Sequence, residues 1–129
     1  MIKIDPEKIK VSSFRKYATI FKVLSDENRL AILQVLENGA KPVNEIATQL
    51  DISQPLVSHH LKILKNSGIV VSCRKKAFVY HALVTPRVIE TVNDIRDLGE
   101  EITQLFEKIS FEDEDSFFKH FPVCFVQNR

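Results

Sequence analysis

A mainly α (α+β) fold is predicted for this chain: short helices, one β-hairpin and a long closing helix. Three observations predict it. Apolar residues recur at three- and four-residue spacing in five separate segments. Only 3 Gly and 5 Pro occur, too few for a chain of linkers or disorder. One stretch, Ile69 to Leu83, breaks the helical period and carries a cluster of cations at its middle, as a hairpin does. With 129 residues, 44% of them apolar, the chain is long enough to bury one core with arms to spare.

The first helix is expected from Ser13 to Leu24, with Phe14, Tyr17, Ala18, Phe21 and Leu24 on one face. Ser25 or Asp26 caps a second helix through Leu36, whose inner face is Leu30, Leu33 and Val35/Leu36, and Asn38-Gly39 stops it. Pro42 opens a short third helix through Leu50, with Ile46, Ala47 and Leu50 inward, and Asp51-Ile52 makes a tight turn. Ser53 caps the fourth helix, and Pro55 sits in its first turn, where a missing N–H is harmless. That helix is sharply divided: Val57, His60, Leu61 and Leu64 share one face, and Gln54, Ser58, His59, Lys62 and Lys65 lie on or near the other. Asn66-Ser67-Gly68 ends it. Ile69 to Cys73 and Ala77 to Leu83 then read as two strands joined by the cationic tip Arg74-Lys75-Lys76.

Thr85-Pro86 starts the final helix. Val88, Val92, Ile95, Leu98, Ile102, Leu105 and Ile109 follow at steps of three and four, a heptad-like seam longer than a small domain can cover by itself. A helix packed on its own core is one reading of this stripe; a dimer seam is favoured, because helix and stripe both outrun the domain. Residues 1–12 are therefore read as an N-terminal arm, 13–109 as the folded and dimerising domain, and 110–129 as a tail. In the tail the acidic run Glu112-Asp113-Glu114-Asp115 precedes Phe117, Phe118, Phe121 and Phe125. Four phenylalanines are poorly suited to water, so the tail is expected to fold back on the dimer or to bind something apolar.

Charge is sorted along the chain. Between Ile52 and Ile89 stand Lys62, Lys65, Arg74, Lys75, Lys76 and Arg87, without one Asp or Glu, although the whole protein has a formal charge of only +1. A stretch clear of carboxylates is what a phosphate-facing surface requires, since a misplaced Asp repels a polyanion. The apolar runs are far too short to span a bilayer. The opening MIKIDPEKIK lacks the apolar stretch of a secretory signal, so a cytoplasmic protein without membrane partners is expected. Two cysteines, Cys73 and Cys124, make no disulfide framework.

The order of elements, helix, helix, short helix, turn, helix, two-stranded hairpin, is that of a winged helix-turn-helix. The segments VLSDENRLAILQVLENG, ISQPLVSHHLKILKNSGIV and RKKAFVYHAL make the match more specific: from Phe14 to Ile109 the chain resembles the ArsR/SmtB family of dimeric bacterial and archaeal repressors. The resemblance implies a homodimer with N- and C-terminal dimerisation helices, bound to double-stranded DNA at a palindromic operator. A recognition helix enters the major groove with its N-terminal half against base edges. Gln54 can pair bidentately with adenine and Ser58 can bond several bases. His59 reaches a base edge or phosphate, Lys62 and Lys65 suit the backbone, and Pro55 offers shape. Ser53 stands in the turn that presents backbone N–H groups to phosphate. Arg74, Lys75 and Lys76 would lie along flanking phosphates or in the minor groove. His60, on the inner side, is read as a core or hinge histidine rather than a base contact. Ala77 stands where family members often carry Gly, which alters the shape of the wing.

Family repressors commonly release DNA on binding metal, and here the chain departs from the pattern. One usual site is a Cys-x-Cys before the recognition helix; the corresponding stretch is Pro42-Val43-Asn44-Glu45-Ile46. The other uses His and carboxylate pairs on the final helix, yet no His lies between Thr85 and Ile109. Without imidazole or thiolate a transition-metal site is weak and unselective, so no metal or other cofactor is assigned. His120 and Cys124, with Cys73 or His81, form an alternative ligand set; solvated or packing roles for them are favoured. A thiol switch between Cys73, beside three cations, and Cys124 is a further reading, as is an apolar ligand pocket lined by the tail aromatics. The effector stays unassigned.

Two other function classes compete with this reading. A winged-helix module docking an acidic protein should show exposed apolar anchors on the fourth helix, and Gln54, Ser58, His59 and Lys62 are not anchors. An enzyme is not expected: no Ser/His/Asp order, Gly-rich phosphate loop or paired ligand motif appears.

Overall fold

In the computed structural model, which describes residues 3, 5–110 and 113–122, each helix begins and ends on the local chemistry of its caps. The chain divides into two compact units, Met1–Asn93 and Asp94–Arg129. In the first unit a 3-10 turn over Val11–Phe14 leads into α1, Arg15–Leu24. Asp26 caps α2, Glu27–Val35, its carboxylate accepting from the Arg29 N–H at 3.0 Å. Helix α3, Val43–Leu50, ends on Asp51 in the left-handed conformation (φ 54°). The Ile52 N–H reaches back to the Ala47 carbonyl and the Asp51 N–H to that of Thr48, so an aspartate here does the work a glycine usually does. Helix α4 is Gln54–Asn66, capped by Ser53, whose Oγ accepts from the Leu56 N–H at 3.2 Å. It closes in the same manner on Gly68 (φ 80°), the Ile69 N–H bonding the Leu64 carbonyl at 3.1 Å. That closure drives the buried Ile69 onto Leu64 and launches the sheet.

The sheet holds three strands, not the two expected. Lys41–Pro42 (β1), Val70–Lys75 (β2) and Phe78–Leu83 (β3) are ordered β1-β3-β2, all antiparallel. Lys41 pairs with His81 and Pro42 with Tyr80. A two-residue strand has no period to read, and proline is tolerated in it because β1 is an edge. The hairpin tip is also narrower than expected: Arg74 and Lys75 belong to β2, Lys75 opposes Phe78, and only Lys76-Ala77 form the turn.

The core of this unit is Ile32, Leu33, Val35, Leu36, Ile46, Ala47, Val57, Leu61, Leu64, Ile69, Val70 and Ile89. Within α2 the expected inner face is partly corrected: Ile32 is fully buried and Leu30 is exposed, because Leu30 lies a turn behind Leu33 on the flank of the helix. Helix α1 buries none of its residues; only Val23 and Leu24 pack on the core, while Tyr17, Ile20 and Phe21 are exposed.

One helix, α5, Arg87–Lys108, contributes to both units. In the first, Ile89 is buried and Val88 and Val92 pack on the core. In the second, Ile95, Leu98, Ile102 and Leu105 form an exposed apolar row, and Phe106 beside them is 83% exposed. Ile109 lies just past the helix, its N–H still bonded to the Leu105 carbonyl at 2.9 Å. Asp113 caps α6, Glu114–His120, which carries Phe117 and Phe118 ring to ring, 5.2 Å apart. Cys124 and Phe125, assigned above to a thiol switch and the aromatic tail, lie outside the described residues.

Candidate nucleic-acid interface

The candidate surface is built on α4. Val57, His60, Leu61 and Leu64 are buried, and Gln54, Pro55, Ser58, His59, Lys62 and Lys65 are all exposed. The helical period alone explains this division: the inward four are spaced three, one and three apart and occupy one arc of the helix. The tight Asp51 turn brings α3 into α4 with three residues between them, so the two helices form a helix-turn-helix. Ser53 is exposed but its Oγ is already engaged in capping, so the hydroxyl holds the helix start in place. Leu56, on the flank next to His59, is exposed to 37%, an apolar group of the kind that meets a thymine methyl and one the sequence reading passed over.

The hairpin supplies the second cationic group. Arg74 and Lys75 at the end of β2 and Lys76 in the turn are exposed, and Lys76 takes a left-handed φ of 55°. Near the other end of the sheet His81 is half-buried, its Nδ1 2.8 Å from Ser72 Oγ. Burial, and secondarily the Lys65 charge, hold its imidazole below the ordinary value, so at neutral pH it adds no charge to the face. Cys73 is exposed on β2 opposite Tyr80, and its S–H points at the Arg74 carbonyl, 3.7 Å away. Among the described residues no three His, Cys, Asp or Glu side chains are grouped to hold a metal ion.

His60 has the inward position the sequence assigns it, and the structure adds its partners. Its ring is 6% exposed. Nδ1 lies 3.5 Å from Arg29 Nη1 and 3.9 Å from Asp26 Oδ1. Arg29 in turn donates from Nε to the Val23 carbonyl at 2.6 Å. The Asp26 carboxyl sits below its ordinary value, chiefly because the Arg29 N–H bonds the charged form, with the Arg29 guanidinium charge adding to it. The sequence held no signal for this node, since Arg29 and His60 are 31 positions apart.

A helix-turn-helix whose second helix is polar and cationic outward, followed by a β-hairpin carrying three more cations, defines a winged helix-turn-helix DNA-binding protein. Comparison with known proteins gives the family. The model of the bacterial regulatory protein arsR family matches residues 26–72, from the α2 cap into β2. The transcriptional repressor SdpR of Bacillus subtilis is 38% identical over 74 residues, covering 57% of this chain and 82% of SdpR. An uncharacterized HTH-type transcriptional regulator of Methanocaldococcus jannaschii is 38% identical over 89 residues, 68% of this chain and 100% of its own. Among solved structures, the homodimeric winged helix-turn-helix DNA-binding domain of a Mycobacterium bovis protein superimposes with a TM-score of 0.63 at 25% identity, covering 78% of this chain and 92% of that one. The chain belongs to the arsR family of transcriptional regulators, a family of DNA-binding proteins and not of enzymes.

Proposed function

We propose that this protein is a homodimeric repressor that binds a twofold-symmetric operator and is released by an effector sensed elsewhere than at the usual metal sites of its family. The observation that carries the reading is the division of α4. Every residue able to read a base edge is exposed, every apolar residue of the inner arc is buried, and no carboxylate occurs between Ile52 and Ile89. Gln54 and Ser58 then read bases, with His59 at the groove edge, while Lys62, Lys65, Arg74, Lys75 and Lys76 hold phosphates.

Dimerisation is supported by two apolar rows that are exposed among the described residues: Tyr17, Ile20 and Phe21 on α1, and Ile95, Leu98, Ile102 and Leu105 on α5. The M. bovis domain is homodimeric and SdpR is a repressor, which supports both parts of the proposal. The site of action is the cytoplasm, where a bacterial or archaeal chromosome lies. A non-metal signal is supported by the absence of thiolate or imidazole ligands from Pro42–Ile46 and from α5. The rival reading, docking of an acidic protein, draws little support from α4, whose exposed arc is polar apart from Pro55 and the partly covered Leu56.

The test is a DNA-shift and footprinting assay with the chain's own upstream region, repeated under reductant, oxidant, chelator and a panel of metals. Protection of two symmetric half-sites one helical turn apart is expected. Protection of one isolated half-site, or of none, overturns the dimeric reading. Release by a metal alone overturns the assignment of the signal.

A further inference from the structure

We infer that Arg29 and His60 are positioning residues for DNA reading: one guanidinium latches the recognition helix to the ends of two other helices. The inference rests on the proposal that α4 reads bases. Arg29 leaves the first turn of α2, donates from Nε to the Val23 carbonyl in the last turn of α1 (2.6 Å), and points Nη1 at His60 Nδ1 on α4 (3.5 Å). Asp26 holds the Arg29 backbone N–H at 3.0 Å and places its carboxylate 3.9 Å from the same ring nitrogen. His59 stands edge-on to His60 at 5.1 Å. A guanidinium only donates, so His60 Nδ1 is the acceptor in this contact and the ring N–H is on Nε2.

A leucine would fill the place of His60 between Val57, Leu61 and Leu64 without any polar partner. A buried imidazole is costly unless bonded, so what it adds over leucine is direction. The planar fork of arginine engages two acceptors in fixed relative orientation, which the point charge of lysine does not. The latch therefore fixes how α4 is turned against α1 and α2. Base-edge hydrogen bonds fail with small rotations of the helix, whereas long lysines follow a phosphate that shifts. Disturbing the latch should cost sequence discrimination and spare general DNA affinity.

The experiment compares operator and scrambled duplex at one salt concentration, well below the melting temperature, for wild type, His60→Leu, His60→Asn and Arg29→Lys. His60→Leu keeps the volume and deletes the acceptor; His60→Asn restores an acceptor near the position of Nδ1. Loss of one well-oriented contact set predicts a fall of about tenfold in the operator-to-scrambled ratio for His60→Leu and Arg29→Lys. Affinity for scrambled DNA and its salt slope should stay unchanged, and His60→Asn should recover most of the ratio. A ratio that stays at the wild-type value, or an equal loss on both duplexes, overturns the latch. Should the variants fail to fold, nitrogen-15 NMR of the wild-type imidazoles decides the matter: His60 Nδ1 is expected to be unprotonated at neutral pH, and a proton there overturns the inference. A wild type without any operator preference would instead end the base-reading proposal, and the ring spectrum would still judge the latch by itself.

Discussion

Removing one wing or recognition-helix lysine should change the salt dependence of DNA binding by an amount that follows from counting. Lys62, Lys65, Arg74, Lys75 and Lys76 are all exposed, and among the described residues none makes an ion pair with a carboxylate, so each is available to phosphate. Each contact releases about 0.9 counterion from B-DNA, and a dimer carries two copies, so Lys75→Ala should lower the slope of log K against log[salt] by about 1.8. Between about 50 and 200 mM salt this amounts to roughly one decade less loss of affinity in the variant than in wild type. Fluorescence anisotropy over a salt series, with the same labelled duplex, measures it. Lys62→Ala should behave alike, Lys108→Ala at the far end of α5 should leave the slope alone, and Gln54→Ala should cut discrimination at one base pair by about 1–3 kcal/mol with the slope unchanged. An unaltered slope in Lys75→Ala and Lys62→Ala, or an equal change in Lys108→Ala, would refute the assignment of the phosphate-facing surface.

Three further outcomes are expected. Leu64→Ala, at a fully buried site between α4 and β2, should lower stability by about 2–5 kcal/mol in urea titration with little change in m; a loss under about 1 kcal/mol would mean that this core is not packed as described. Leu98→Glu should yield monomers by sedimentation velocity while the helical signal stays near wild type, and an unchanged sedimentation coefficient would remove the α5 row from the interface. His81 is held below its ordinary value of 6.5 by burial and then by Lys65, so on acidification the unfolded chain takes up that proton before the folded one. Stability should therefore decline as pH falls below that value and level off once the folded imidazole is charged as well. His81→Gln should flatten this part of the profile, and identical profiles for variant and wild type would show that His81 does not contribute.

Much of the fold was legible because caps and periods are local. Asp26, Ser53, Gly39 and Asp51 end or start helices where their side chains and backbone preferences say they should. The inner arc of α4, His60 included, follows from spacing alone. What escaped depends on distant parts of the chain. Strand β1 exists only because β3 offers an edge to Lys41 and Pro42. Arg74 and Lys75 join β2 because the register with Val79 and Phe78 closes the hairpin on two residues. The stripe on α1 has a helical period but buries none of its residues among those described, so periodicity found the face and not its neighbour. The Arg29–His60 contact joins residues that no pattern links, and only the packing of three helices brings them together.

Lys76 shows what the wing gives up. A residue with a Cβ held at a φ of 55° forfeits about 1 kcal/mol against glycine, and the neighbouring Ala77 offers no relief. Lys76→Gly ought to make a sturdier hairpin and a poorer clamp, so at this one position comfort of the backbone and grip on a polyanion pull in opposite directions. An engineer seeking a more heat-tolerant variant would be drawn to this turn, and on the proposed reading would weaken the protein's hold on its target by accepting the invitation.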